Sequence, residues 1–276
     1  MQDVSLGLLA RCLSRAASPP MEGLLHAALS RAQSLGAIPF EAIAGTPIGR
    51  YGPRVTFLPG PAPRALAEAF GLGAHPYGVP AWIGLRIRPD GALHAKAYHR
   101  FCSELQGPGV DGKWPLPDHL PAGLLPVVAA RDGDASELYL RLRTTCPWGD
   151  FATACTTPLL GPGATRPRIA FSPEPQPHSG AFCVSLRWQG ERLAAITLYA
   201  DQRALPDDEA RVRAEWSRDM TAFELSAYEL ALAGVRASGP RRGAWHAMLA
   251  WTVDAAGTWQ RAASLRVPQS PTPPQC

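Results

Sequence analysis

The stretch AWIGLRIRPDGALHAKAYHRF, residues 81–101, gives the clearest indication of the fold. Two runs of alternating apolar and polar residues flank Arg88-Pro89-Asp90-Gly91, which is a typical turn sequence, so the stretch predicts an antiparallel β-hairpin. Successive side chains of a strand point to opposite faces. One face of the second strand therefore carries His94, Lys96, Tyr98 and Arg100, and the other carries Leu93, Ala95 and Ala97. The hairpin has one cationic and aromatic face and one apolar face.

Similar patterns predict further elements on both sides of this hairpin. We expect hairpins over 181–201 and 244–267, a strand over 136–145, and helices over 4–15, 20–35, 62–70 and 206–236. The proline-containing segment 116–130 predicts an interrupted helix. Residues 146–179, rich in Pro, Gly and Thr, predict a loop with one short strand at 168–171. Hairpins that alternate with helices favour an α+β fold, in which an antiparallel sheet or barrel carries helices on one face.

The polar face of the first hairpin recurs in the other predicted strands. Its further members are Arg54, Thr56, Tyr139, Arg141, Arg143, Ser185, Arg187, Thr197, Tyr199, His246 and Thr252. We interpret this face as rich in Arg, Lys and Tyr and almost without Asp or Glu, whereas an ordinary solvated face mixes both charges. If the sheet closes, the face becomes a lumen suited to an anionic ligand that also has an apolar or cationic part.

Composition and charge restrict the class of protein. The chain has 276 residues, 46% of them hydrophobic and 18% charged, which excludes an intrinsically disordered protein. We expect one domain over 1–268 and a disordered tail over 269–276. The net charge of only +4 and the absence of an uncharged apolar run near about 18 residues predict a cytoplasmic protein without a nucleic-acid or membrane partner. The six cysteines lack a C-x-x-C pair and no secretory signal is evident, which favours free thiols over disulfides, and no ligand pattern for zinc is present.

Four segments resemble motifs of one enzyme family. GAIPFEAIAG (36–45) is similar to a Gly-x-Pro-hydrophobic-Glu segment that precedes an Arg-bearing strand, here RVTFLPG with Arg54. LHAKAYHRF (93–101) is similar to a Lys-x-Tyr strand, AAITLYADQRALPDD (194–208) to a later strand of that form, and 246–268 to the closing hairpin. The chain thus resembles aromatic prenyltransferases of the dimethylallyltryptophan synthase type, in their short bacterial or cyanobactin-like branch. It departs from them at Thr197, where the family has Lys, and at Arg266, where Tyr is expected.

The resemblance implies repeated α-β-β-α units that form a ten-stranded antiparallel β-barrel surrounded by helices. It also implies an enzyme that moves a dimethylallyl or geranyl group from its diphosphate to an indole or phenol ring, in a small molecule or a peptide. No cofactor is required by the sequence, although Mg²⁺ could accompany the diphosphate, and no metal site of the protein's own is expected.

Each role in that chemistry has candidate residues. Cations stabilise the leaving diphosphate, and the candidates are Arg54, Lys96, Arg143 and Arg187. Aromatic faces shield the allyl cation from water, for which the candidates are Tyr98, Tyr139 and Tyr199. Glu41 would stabilise the charge that develops on the acceptor, and His94 and His246 are candidate proton acceptors.

Other interpretations of these residues stay open at this point. Glu41 could be a surface acid before a strand, and His94 and His246 could be ordinary core or surface histidines. A non-catalytic barrel that binds an anionic metabolite would share the basic lumen, with Glu41 facing solvent. A sheet that binds single-stranded nucleic acid through Arg and Tyr fits the residue types, but it fits the modest net charge less well.

Overall fold

The computed structural model describes residues 21–46, 54–72, 77–87, 92–103, 105–165, 180–205, 208–218, 220–237 and 245–267. The helices in these residues are α1 (Met21–Ser34), α2 (Pro63–Ala69), α3 (Trp148–Leu160), α4 (Glu209–Ser217) and α5 (Ala222–Ala237). Short 3₁₀ turns lie at Val110–Gly112 and Gln202–Ala204. The predicted helix at 4–15, the predicted short strand at 168–171 and the tail at 269–276 lie outside the described residues.

Ten strands form the sheet. They are β1 (Ile38–Thr46), β2 (Arg54–Leu58), β3 (Trp82–Ile87), β4 (Leu93–Arg100), β5 (Leu124–Asp132), β6 (Ala135–Leu142), β7 (Phe182–Gln189), β8 (Arg192–Asp201), β9 (His246–Asp254) and β10 (Trp259–Arg266). Their order, β1-β10-β9-β8-β7-β6-β5-β4-β3-β2, closes on itself as a barrel. Sequence neighbours pair antiparallel, as in β2 with β3 and β7 with β8. The predicted ten-stranded antiparallel barrel with helices is confirmed.

Three sequence-based predictions are wrong in detail. Residues 124–132, expected within a broken helix, form β5, because pairing with β6 along its length outweighs the helical spacing of its apolar residues. Within the expected loop at 146–179 lies α3, whose residues Trp148, Phe151, Ala152 and Cys155 are buried at helical spacing. The expected long helix over 206–236 is divided into α4 and α5.

The chain forms two compact units. The first comprises Met1–His99, Trp216–Ala247 and Ala262–Gln275, and the second comprises mainly Arg100–Glu215 and Met248–Arg261. The first unit thus holds β1 to β3 and most of β4, while the second holds β5 to β8. The expectation of one domain over 1–268 stays a prediction.

In the first unit, α5 packs on β1 and α1 contacts β3. The apolar face of its strands is fully buried, with Val55, Ile83 and Leu85 at 0% exposure. Tyr228 of α5 forms a hydrogen bond of 2.6 Å with Nε2 of His246, which is also fully buried. His246 therefore lies in the contact between a helix and the start of β9, and its role as a proton acceptor stays a prediction.

We expect Tyr228→Phe to lower the free energy of unfolding by about 1 to 3 kcal/mol, because it removes the phenol from a buried histidine partner. Urea unfolding measures the change. Unchanged stability would show that this hydrogen bond does not contribute to the packing of the helix.

In the second unit, α3 packs on β8. The Trp148 ring lies 5.1 Å from the Trp251 ring and 5.3 Å from the Phe182 ring, centroid to centroid. These aromatic side chains fill the helix-facing side of the strands. The residues that alternate with them, including Ser185 and Thr197, consequently lie on the opposite side of the sheet.

Candidate active site

Arg54, Lys96 and Tyr98 form a cluster on the polar face of the first unit. Arg54 Nη1 donates a hydrogen bond of 2.8 Å to the Tyr98 hydroxyl. Lys96 Nζ lies 5.0 Å from the centroid of the Tyr98 ring. Lys96 and Tyr98 are buried, with exposures of 8% and 4%. Two cations therefore contact one aromatic side chain inside the fold, an arrangement that favours an anionic ligand.

The aromatic part of this cluster is extended by Trp82, which lies directly opposite Tyr98 in the pairing of β3 with β4. The two rings are stacked, with centroids 5.8 Å apart and planes inclined by 19°. Its pairing with Tyr98 places Trp82 on the polar face, because directly opposite residues share a face of the sheet.

Gly84 allows Arg54 and Tyr98 to meet although β3 lies between their strands. A Cβ atom at Gly84 would lie 3.2 Å from Arg54 Cδ and 3.2 Å from Tyr98 Cε2, which is closer than ordinary van der Waals contact. A glycine inside a strand often marks a place where another group approaches the backbone closely. The glycine therefore provides the space that the arginine needs to reach the tyrosine.

We expect Gly84→Val to separate Arg54 from Tyr98 and to weaken binding of an anion such as inorganic diphosphate about tenfold or more, equivalent to loss of one charge-assisted contact. Calorimetry with inorganic diphosphate measures the affinity. Gly149→Val is the matched control, because Gly149 is exposed and a Cβ there would meet nothing within 4 Å. Equal affinity in the two variants would contradict the role of Gly84.

Glu41 lies within β1, not before a strand, and its side chain is outside the described residues. The register nevertheless gives its position along the sheet. Glu41 pairs with Thr56, Thr56 with Gly84, and Gly84 with Lys96. Glu41 and Lys96 thus occupy the two ends of one row across four strands.

His94 takes the corresponding place in the neighbouring row. It pairs with Arg86, which pairs with Arg54. The His94 side chain is half-buried. The structure therefore brings His94 to the strands that carry the cationic cluster, whereas it separates His246 from them by placing it against α5.

In the second unit, a hydrogen-bonded chain joins three strands on the polar face. Ser185 Oγ donates to Glu137 Oε1 at 2.6 Å and lies 3.1 Å from the Tyr199 hydroxyl. The rings of Tyr139 and Tyr199 are neighbours, with centroids 6.0 Å apart. Two of the predicted shielding tyrosines are thus brought together next to a buried carboxylate.

The predicted arginines of this unit do not share one environment. Arg187 forms an ion pair of 3.4 Å with Asp132, so its charge already has a partner. Arg143 is exposed and directly follows β6, which ends at Leu142, and its backbone N–H donates a hydrogen bond of 2.9 Å to the Gly123 carbonyl. Its role as a diphosphate ligand stays a prediction.

Arg141, two residues earlier, is the buried arginine of that strand, with 6% exposure. Its Nη2 lies 3.9 Å from Asp201 Oδ2, and Arg203 binds both oxygens of that carboxylate. Among the described residues, no hydrogen-bond acceptor is within reach of Arg141 Nε. Arg141 therefore has donor capacity left for an anion.

The expectation that the polar face almost lacks acids is also wrong. Glu137 lies on the same face of β6 as Tyr139 and Arg141, and Asp132 and Asp201 pair with arginines. Sequence reasoning missed Gly84, Glu137, Ser185 and Arg141 as site residues. A lone glycine inside a strand pattern could have indicated Gly84, and the period of two already put Arg141 and Glu137 on one face.

The described residues contain neither a metal-binding cluster nor a membrane-spanning helix. No group of three or more His, Cys, Asp or Glu side chains there could hold a metal ion. None of the helices described has both the length and the apolarity needed to cross a bilayer.

Solved structures of similar fold are prenyltransferases. The chain resembles 5-dimethylallyl tryptophan synthase from Streptomyces coelicolor in complex with DMASPP and Trp, at 19% identity over 99% of this chain and 97% of that one, with a TM-score of 0.59. It resembles the PriB ternary complex with L-tryptophan and dimethylallyl thiolodiphosphate at 16% identity over 99% of both chains, with a TM-score of 0.62. AnaPT from Neosartorya fischeri gives 12% identity, covering 94% and 91%, with a TM-score of 0.61. No family model and no curated protein matches the chain. The similarity shows that the chain has the barrel fold of these prenyltransferases.

Proposed function

We propose that the chain transfers a dimethylallyl or geranyl group from its diphosphate to an indole or phenol ring, free or within a peptide. The observation that carries this proposal is the cluster of half-buried Arg54 with buried Lys96 and Tyr98 on the polar face of the barrel. Two of the solved structures with this fold hold an allylic diphosphate analogue together with tryptophan.

The cations would bind the diphosphate and stabilise it as it leaves. Arg54 offers a planar fork that matches two phosphate oxygens, and Lys96 offers a compact point charge. When the carbon–oxygen bond of the donor breaks, negative charge accumulates on the diphosphate. Cations already fixed beside it lower the free energy of that state without further reorganisation. In the second unit, Arg143 and Arg187 stay predicted ligands of the diphosphate, and Arg141 is a further proposed one.

The aromatic side chains would protect the allyl cation that forms. Tyr98 and Trp82 present stacked rings beside the cations, and Tyr139 and Tyr199 form a second pair. An aromatic face stabilises a cation by about 0.5 to 2 kcal/mol, and aromatic side chains beside the cation exclude water that would capture it.

The acceptor ring then attacks the cation and becomes positively charged. A carboxylate that accepts a hydrogen bond from the indole N–H or phenol O–H stabilises this charge. We assign this role to Glu41, which stands in register with Lys96 across four strands.

Incubation with dimethylallyl or geranyl diphosphate and a panel of indoles, phenols, tryptophan and tryptophan-containing cyclic peptides tests the proposal. Mass spectrometry should show an acceptor heavier by one prenyl group. Parallel reactions in Mg²⁺ and in EDTA address the ion: turnover in EDTA would show that side chains alone neutralise the diphosphate, and loss restored by Mg²⁺ would show that the ion is required. Tight diphosphate binding without any product would favour the non-catalytic barrel.

A further inference from the structure

Tyr199, Ser185 and Glu137 are joined by hydrogen bonds that have a defined direction. Ser185 Oγ carries one proton and donates it to Glu137 Oε1 at 2.6 Å. The hydroxyl of Tyr199, 3.1 Å from the same Oγ, must therefore be the donor of the second hydrogen bond. Each proton thus points from the phenol toward the carboxylate.

The chain is buried and is built by three neighbouring strands. Exposure is 1% for Ser185, 8% for Glu137 and 9% for Tyr199. Glu137 is on β6, Ser185 on β7 and Tyr199 on β8, all on the face opposite to α3. Burying a carboxylate costs free energy unless the carboxylate is hydrogen-bonded. A buried carboxylate on the polar face is therefore a candidate for a chemical role.

We propose that Tyr199, Ser185 and Glu137 form a proton relay that removes the ring proton of the alkylated acceptor. This inference rests on the proposed prenyl transfer. After the new carbon–carbon bond has formed, the acceptor ring carries a positive charge and one proton too many at the attacked carbon. The carbon–hydrogen bond breaks, and its electron pair restores the aromatic ring.

The proton balance of the step follows the hydrogen bonds. The Tyr199 oxygen takes the ring proton as its own proton passes to Ser185 Oγ, and the Ser185 proton passes to Glu137 Oε1. Glu137 ends the step as a neutral acid and later releases its proton through the same chain. A phenol alone is a poor proton acceptor, and the carboxylate at the end of the chain makes it a competent one.

The position of Tyr199 suits this task. Its ring and the ring of Tyr139 form an aromatic pair on the polar face. Tyr199 would be the catalytic residue, since it contacts the acceptor, and Ser185 and Glu137 would act through it.

The test uses Tyr199→Phe, Ser185→Ala and Glu137→Gln with an acceptor that carries deuterium at the attacked carbon. We expect kcat to fall about 10²-fold or more, the usual contribution of a general base. Proton removal should become rate-limiting, so each variant should show a primary isotope effect that the wild-type protein lacks. The Tyr199 ring is kept in Tyr199→Phe, so its shielding of the cation is preserved.

Thr252→Val is the matched control, because it breaks a different hydroxyl pair on the same face, that of Thr197 and Thr252 at 2.9 Å. Circular dichroism verifies the fold, and three variants at three points of the chain provide independent tests. Wild-type rates in the three variants, or slower rates without an isotope effect, would overturn the relay. The hydrogen bonds would then only hold the Tyr199 ring in position. Absence of product with the wild-type protein would overturn the proposed function and the relay with it.

Discussion

Lys96→Ala is expected to weaken binding of dimethylallyl thiolodiphosphate by about 1.5 to 3 kcal/mol, the usual value of a hydrogen bond to a charged group. The affinity should therefore fall about ten- to a hundredfold. The physical reason is the loss of a point charge that is buried beside Tyr98. Arg54→Ala should have an effect of similar size, because it removes the planar fork and releases the Tyr98 hydroxyl.

Calorimetry measures both affinities, and Lys113→Ala provides the control. Lys113 is the other lysine in the chain, and its side chain is exposed. Lys96→Met keeps most of the buried aliphatic stem, which separates loss of charge from loss of packing. Unchanged affinity in Lys96→Ala and Arg54→Ala would exclude both residues from the diphosphate site.

The second large effect is expected for Glu41→Gln. The amide retains the size of the side chain but loses the charge that stabilises the developing cation on the acceptor. Donor affinity should therefore stay near that of the wild-type protein, while kcat falls about 10²- to 10³-fold.

Single-turnover measurement with saturating donor distinguishes these two quantities for Glu41→Gln. Glu68→Gln is a suitable control, because Glu68 is exposed on α2. A variant with the wild-type kcat would show that Glu41 is the surface acid of the alternative interpretation.

The strands of the barrel were predictable because their signal is local. The alternation from Leu93 to Arg100 put Lys96 and Tyr98 on one face, and the structure has the same strand at Leu93–Arg100. Alternation alone does not distinguish an open sheet from a closed barrel. The resemblance of short motifs to a family with a barrel fold made that distinction. The alternation thus predicted which side chains share the polar face, and their roles in a site stay predictions.

The contacts within the site were not predictable because they depend on register between strands far apart in sequence. Ser185 meets Glu137 across 48 positions and Arg54 meets Tyr98 across 44 positions. A period of two says which face a residue occupies and says nothing about its partner on the next strand. This is why Gly84, which lies between Arg54 and Tyr98, was passed over.

Strand ends and composition caused the remaining errors. The strand expected over 136–145 ends at Leu142, so Arg143 directly follows it. The helix α3 was hidden by the Pro, Gly and Thr of the segment around it, although its own buried residues repeat at helical spacing. Boundaries of this kind are set by tertiary contacts rather than by local pattern.

The most direct test of the account is a quantitative reaction of the wild-type protein with dimethylallyl diphosphate and an indole acceptor. Inorganic diphosphate release and alkylated product are measured in the same sample. The account predicts that the two appear together in equal amounts and that neither appears without the acceptor. Binding of the donor with no diphosphate released and no product formed, across the whole panel of indoles, phenols and peptides, would contradict it.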